Sequence, residues 1–253
     1  MKALNKTITK SLLGLFLASC AISASAQTAT TASTPTKGSF TVGADLVSSY
    51  IWRGFTENKT PNIQPSATFT YGGLSIGAWG SGSFDGTYKE VDLSASYAFN
   101  DLFSLTVTDY NWAFKKSYFK YNNDSTDHIF EGTLSYAGVK EFPLSISVNT
   151  MFYGADKKLN SDSTKLKNAF STYVELAYPI AKNAKLTIGG LYVSSKDGLN
   201  AYAVTKKGFN ITNVALKVSK DLKFSESFSL PVYGIIGFNP ETEDAFFVGG
   251  ITF

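Results

Sequence analysis

The sequence predicts an all-β chain closed into a transmembrane antiparallel β-barrel of about twelve strands, with short turns at one end and longer loops at the other. Three observations carry this. Apolar and polar residues alternate with period two, segment after segment, from residue 39 to the last residue. The connections between segments alternate between short and long. The final segment, DAFFVGGITF, puts Ala245, Phe247, Gly249, Ile251 and Phe253 on one face and stops on the aromatic ring. An apolar strand left at a sheet edge in water invites aggregation; closing the sheet removes the edge and turns that face to lipid.

Residues 1–26 hold Lys2, Lys6 and Lys10, then the apolar run SLLGLFLASCAIS, then Ala24-Ser25-Ala26 before Gln27. This is the plan of a secretory signal peptide cleaved after Ala26. The run is shorter than the roughly 20 residues of a spanning helix. Leu17-Ala18-Ser19-Cys20 is the competing feature, since it resembles a lipoprotein box with Cys20 as the lipidated residue. Either route exports the chain. Residues 27–38, QTATTASTPTKG, are non-periodic and read as a flexible periplasmic leader, which leaves 39–253 for the barrel.

Three of the 23 basic residues lie in the signal, so the mature chain has 20 basic residues against 20 acidic. No basic excess remains to suggest nucleic acid. Cleavage also removes Cys20, the single cysteine, and with it any disulfide or thiolate ligand. At 43% hydrophobic and 15% aromatic with 21 Gly, the composition favours strands and turns.

The first segment, FTVGADLVSSYIWR, sets Phe40, Val42, Ala44, Leu46, Tyr50 and Trp52 against Asp45, Ser49 and Arg53. IQPSATFTY sets Ile63, Ala67, Phe69 and Tyr71 against Gln64, Ser66 and Thr68, and Gly72-Gly73 turns into LSIGAWGSGSF. YKEVDLSASYAF opposes Val91, Leu93, Tyr97 and Phe99 to Glu90, Asp92, Ser94 and Ser96, and Asn100-Asp101 is a hairpin signal into LFSLTVTDYNW. HIFEGTLSYAG, PLSISVNTMFYG and AFSTYVELAY continue the pattern, with Glu131 and Glu175 on the polar face. KLTIGGLYVSS, GFNITNVALKVS, SFSLPVYGIIGF and the final strand complete about twelve. Roughly ten residues each suits a tilted bilayer span.

Short turns are expected at 72–73, 100–101, 138–141, 179–183 and 220–225; long outer loops at 54–61, 114–127, 155–168 and 196–207; short outer loops near Gly86 and Asn239. Pro231 removes a ladder donor inside a strand, so a bulge is expected there. A secreted β-sandwich would also alternate. It would not end its apolar faces in aromatics such as Tyr50, Trp52, Tyr71, Tyr97, Phe99 and Tyr178, nor crowd its polar face with Ser, Thr and Gly.

Two stretches resemble known groups. The closing strand resembles the C-terminal signature of bacterial outer-membrane β-barrel proteins, which implies that Phe253 is read by the barrel-assembly machinery. Val47-Ser48-Ser49-Tyr50-Ile51-Trp52-Arg53-Gly54-Phe55-Thr56, followed by Pro61-Asn62-Ile63-Gln64-Pro65, resembles the opening of the TorF-like family of bacterial outer-membrane porins. That family (also catalogued as a conserved hypothetical group) implies a channel in the outer membrane. Pro65, where many members have Gly, and Glu57, where Gln is usual, depart from the pattern and leave the subgroup open.

No motif for enzymatic chemistry or a cofactor stands out. His128 is the single histidine, which rules out His-pair metal sites; TDHIFEG lacks the His-and-Ser pattern of the twelve-stranded outer-membrane phospholipases. NNDSTD (122–127) lacks the Gly and distal Glu of an EF-hand and reads as a solvated loop tip. The candidate lumen-lining residues are the inward charges Asp45, Arg53, Glu90, Asp92, Glu131, Glu175 and Lys217. Five acids against two bases predict a mild cation preference for passing solutes or ions. Pairing of these charges across a filled lumen is the alternative, and would suit a closed structural or surface-recognition barrel. Arg53 is the residue on which the site is expected to turn.

Overall fold

The computed structural model describes residues 37–112, 117–226 and 228–253. The expected signal segment with Cys20, and the leader up to residue 36, lie outside the described residues. The chain forms β1 (Ser39–Val47), β2 (Tyr50–Trp52), β3 (Phe55–Asn58), β4 (Asn62–Tyr71), β5 (Leu74–Ser83), β6 (Lys89–Ala98), β7 (Phe103–Tyr110) and β8 (Ile129–Tyr136). It continues with β9 (Ser145–Gly154), β10 (Lys157–Leu159), β11 (Leu166–Asn168), β12 (Thr172–Ala181), β13 (Ala184–Val193), β14 (Gly208–Lys223), β15 (Ser229–Asn239) and β16 (Asp244–Thr252). Twelve of these close into an antiparallel barrel in the order β1-β16-β15-β14-β13-β12-β9-β8-β7-β6-β5-β4. Two small hairpins, β2–β3 and β10–β11, stand apart from the wall.

Closure is made by the last strand on the first, with Asp45 opposite Thr252, Leu46 opposite Ile251 and Val47 opposite Gly250. Ala44 and Phe253 exchange both backbone hydrogen bonds, at 3.2 and 2.9 Å, which carries the ladder to the final residue. The seam is short. Ser39–Gly43 pair with β4 alone.

The alternation read from the sequence is realised as two faces. Outward residues such as Phe69, Ile76, Leu93, Leu105, Leu134 and Ile236 are large, apolar and exposed. Such a belt around the whole wall far exceeds the apolar patches that soluble monomers show to water, and it suits a hydrocarbon surround. Toward the turn end it finishes in exposed Tyr71, Tyr97, Phe99 and Tyr178. On the inward face the same strands carry half-buried Ser66, Thr68, Ser94, Ser96 and Thr106, tied in places by hydroxyl pairs such as Thr106 to Ser96 at 2.9 Å. On β4 to β7 the inward face toward the turn end is therefore rich in hydroxyls and only partly closed to solvent.

Several expectations are corrected. Tyr50 and Trp52 do not join the lipid-facing aromatics: β1 ends at Val47, and both rings are buried inside the barrel. Pro231 makes no bulge. Its pairing with Asp221 on β14 is in register, and the β15–β16 ladder begins only at Val232, so the missing N–H leaves no gap. The irregularities fall instead at Phe130/Glu131, Pro179/Ala181 and Gly189/Gly190. The turn placed at 220–225 lies further on, because β14 stays paired through Lys223. The stretch 122–127 is a turn exposed at Asn122 and Asp124, and it is tied to the wall. Asn123 Oδ1 accepts the Gly154 N–H at 2.9 Å, and Thr126 is buried.

Candidate functional site: an inward hairpin across the lumen

After Val47 the chain leaves the wall. Ser48 Oγ accepts the Gly249 N–H at 2.9 Å and the Ser48 N–H reaches the Gly249 carbonyl, so the exit is pinned to β16. β2 then pairs with β3 around Arg53-Gly54, with φ of 55° and 87°. Two consecutive positive-φ residues give the primed turn that matches strand twist in a two-residue hairpin. Glycine is required at the second position by space as well as by φ. A Cβ on Gly54 would overlap the backbone carbonyl of Thr212 on β14. The tip is held there by Thr212 Oγ1 donating to the Arg53 carbonyl at 3.1 Å and by Asn239 Nδ2 donating to the Gly54 carbonyl at 3.2 Å.

From this tip the Arg53 side chain crosses to β8, on the far side of the wall. Its guanidinium makes a two-pronged pair with Glu131, Nη1 to Oε2 at 2.6 Å and Nη2 to Oε1 at 2.7 Å. Nη1 also donates to the Tyr202 hydroxyl. The guanidinium lies over the rings of Trp52 and Tyr173, at 4.6 and 4.7 Å from their centres. Glu131 is satisfied further by the Tyr110 hydroxyl at 3.0 Å. Both members of the pair are 0% exposed. At that depth neither charge is tolerable alone, and the planar fork of Arg fits a carboxylate as Lys could not.

Apolar bodies fill the space around the pair. Trp52 stacks on Tyr202 at 4.9 Å, with Tyr110, Tyr173, Met151 and Leu191 packed around them. Tyr202 is brought in by residues 200–204, whose curl is set by Asn200 Oδ1 accepting the N–H of Tyr202 and of Val204. Asp156 anchors this segment by accepting from Ala201 N, Ser171 N and Ser171 Oγ. A second buried cluster, Val47, Ile51, Tyr233, Ile235, Phe246 and Val248, lies on the β1–β16–β15 side. The barrel is thus a polar well closed toward the loop end by an aromatic stopper with one ion pair at its centre.

All seven sequence-predicted charges face inward, and they fall into four groups rather than one ring. Arg53 and Glu131 form the central pair. Asp45 accepts from Thr252 Oγ1 at 2.7 Å and from Tyr233 at 3.2 Å, and Lys217 Nζ lies 3.9 Å over the Tyr233 ring. Glu175 accepts from Tyr173 at 3.1 Å. Glu90 and Asp92 neighbour one another on β6, where Tyr88 donates to Glu90 at 2.7 Å. Sequence reasoning missed Glu57, Tyr88, Trp79 and Tyr202, which enter through loops or through residues read as wall. One signal was present for the hairpin: Arg-Gly between the alternating aromatics Tyr50, Trp52 and Phe55 is turn chemistry inside an apparent strand.

His128 lies apart from the stopper. Its Nδ1 meets Asp109 Oδ1 at 2.7 Å, and its Nε2 faces Asn111 Nδ2 at 2.9 Å and the Tyr118 carbonyl. Tyr118 and Tyr121 cover the ring. No serine hydroxyl stands at Nε2 among these contacts, so His128 ties the segment before β8 to the wall. Among the described residues no group of three or more His, Cys, Asp or Glu could hold a metal ion.

No family model matches the chain, and no curated protein does. Among solved structures the chain is similar to the crystal structure of an outer membrane channel from Pseudomonas putida F1. The identity is 13%, the match covers 85% of this chain and 94% of that one, and the TM-score is 0.37.

Proposed function

We propose that this chain is an outer-membrane channel through which small solutes or ions diffuse passively, narrowed by its own first loop. The observation that carries the reading is the pairing of a continuous exposed apolar belt with a half-open, hydroxyl-lined well inside a closed twelve-stranded wall. The signal-like N-terminus and the TorF-like opening agree with it, as does an assembly role for Phe253. In this reading the turn end faces the periplasm and the loop end the exterior. Arg53 is neutralised by Glu131, so the remaining inward charge is dominated by acids, which favours cations.

The test is ion conductance of the refolded full chain in planar bilayers. Small discrete steps with a reversal potential favouring cations are expected in a salt gradient. Anion preference would refute the acidic lumen. A barrel that is folded by circular dichroism yet silent would sink the channel. The buried stopper would then favour the second reading, a closed recognition barrel working through loops such as β10–β11.

A further inference from the structure

One group of inward carboxylates has no ion-pair partner among the described residues. Glu57 comes from β3 of the inward hairpin, and Glu90 and Asp92 from alternate positions of β6. Tyr88 links the two elements: its hydroxyl donates to Glu90 at 2.7 Å, and its ring lies 5.6 Å from Tyr50 of the same hairpin. Glu131 is paired with Arg53 and Asp109 meets His128 Nδ1, but none of these three makes an ion pair with a lysine or arginine among the described residues. Carboxyl groups gathered in a half-dry site are relieved either by holding a proton or by a counter-charge.

A second observation points the same way. Gln64, 2% exposed, donates from Nε2 to Ser81 Oγ at 3.4 Å, while its Oε1 accepts from nothing. Ser81 stands opposite Glu90 in the β5–β6 ladder, so this orphan acceptor shares the inward face with the carboxylates. Trp79 stands opposite Asp92, and its indole packs 5.5 Å from Tyr50, whose ring lies 5.6 Å from Tyr88. Aromatic rings beside uncompensated carboxylates attract a cation that carries an apolar body. A small inorganic ion would need a tight shell of oxygens at fixed spacing, and no such ligand set is present among the described residues. Glu57 and Tyr88 are half-buried, and Asp85 and Thr87 beside them are exposed, so the group is open toward the loop end.

We propose that this cluster between β3, β5 and β6 binds a small organic cation of the ammonium or guanidinium class. Its N–H groups would face Glu57, Glu90, Asp92 and Gln64 Oε1, and its carbon skeleton the rings of Tyr50, Trp79 and Tyr88. As a selectivity site for a permeating solute, this rests on the channel reading above.

The test is calorimetric titration of the refolded full chain in detergent with arginine methyl ester, and with magnesium chloride as the inorganic counterpart. Saturable binding of the ester is expected, weakened tenfold or more in Glu57→Gln and in Glu90→Gln and unchanged in Glu226→Gln at the turn end. Each variant is checked for barrel content by circular dichroism. Absence of saturable binding by the folded wild type overturns the proposal. So does binding that survives both cluster substitutions, or magnesium binding at the same carboxylates in preference to the ester. The two readings separate cleanly. Conductance without binding removes the site and keeps the channel, whereas binding without conductance keeps the site and removes the channel.

Discussion

In the proposed channel, Arg53→Ala is expected to give larger single-channel steps than the wild type and an earlier urea unfolding midpoint in lipid vesicles. The substitution deletes both prongs of the pair with Glu131 and leaves that carboxylate 0% exposed, with only Tyr110 and Thr133 hydroxyls to face it. Removing one partner of a buried pair costs about 3–5 kcal/mol, because the survivor stays desolvated and uncompensated. The cheapest relief is for water to enter between the hairpin and β8, and water entry is an opening of the stopper. Arg53→Met combined with Glu131→Leu should recover most of the lost stability, since well-packed apolar replacements of a buried pair are often neutral or better. That double variant should also keep the small wild-type conductance. Unchanged steps and an unchanged midpoint in Arg53→Ala would show that the pair does not hold the hairpin in place.

Gly54→Ala tests the same stopper without touching a charge. Its φ of 87° already disfavours any side chain, and the new methyl would sit on the Thr212 carbonyl, at the irregularity in the β13–β14 ladder. The overlap is with backbone atoms, which cannot swing aside as a flexible side chain would, so the hairpin tip must withdraw from Thr212. The hydrogen bonds from Thr212 and Asn239 go with it. The expected readout is again a larger conductance, now with Arg53 and Glu131 intact. Faster proteolytic cleavage within residues 50–60 should accompany it. A variant with wild-type steps and wild-type protection would mean that the tip has slack that the structure does not show.

The wall was legible in the sequence because lipid outside and polar lumen inside impose one rule on every strand. Val91, Leu93 and Tyr97 against Glu90, Asp92 and Ser94 is that rule at its clearest, and the twelve strands followed from repeating it. The stopper was not legible, because its residues obey the same periodicity for another reason. Tyr50 and Trp52 alternate whether they face lipid or pack around Arg53, and only the two positive-φ residues after them separate the cases. The apolar inward cluster was hidden similarly. Ile235-Ile236 and Phe246-Phe247 are apolar on both faces, so alternation carries no information there. Of the site charges, those on regular strands could be given a face from alternation alone. Glu57 could not be, since it becomes inward only when its loop folds into the barrel.

The short seam between β1 and β16 bears on the order in which the molecule comes together. Asp45 and Thr252, bonded across it, are 207 residues apart, while β2 and β3 meet within nine residues, 50–58. Closing a long loop costs more entropy than closing a short one, and distant pairings are repaid only once made. The hairpin can therefore form early, but its berth is supplied by β8, β14, β15 and the segment around Tyr202, and exists only when those are in place. Until then Arg53 stays hydrated. The loop end of the lumen therefore dries only once β8, β14 and β15 enclose the hairpin, and a chain in which they fail to gather would keep Arg53 in water.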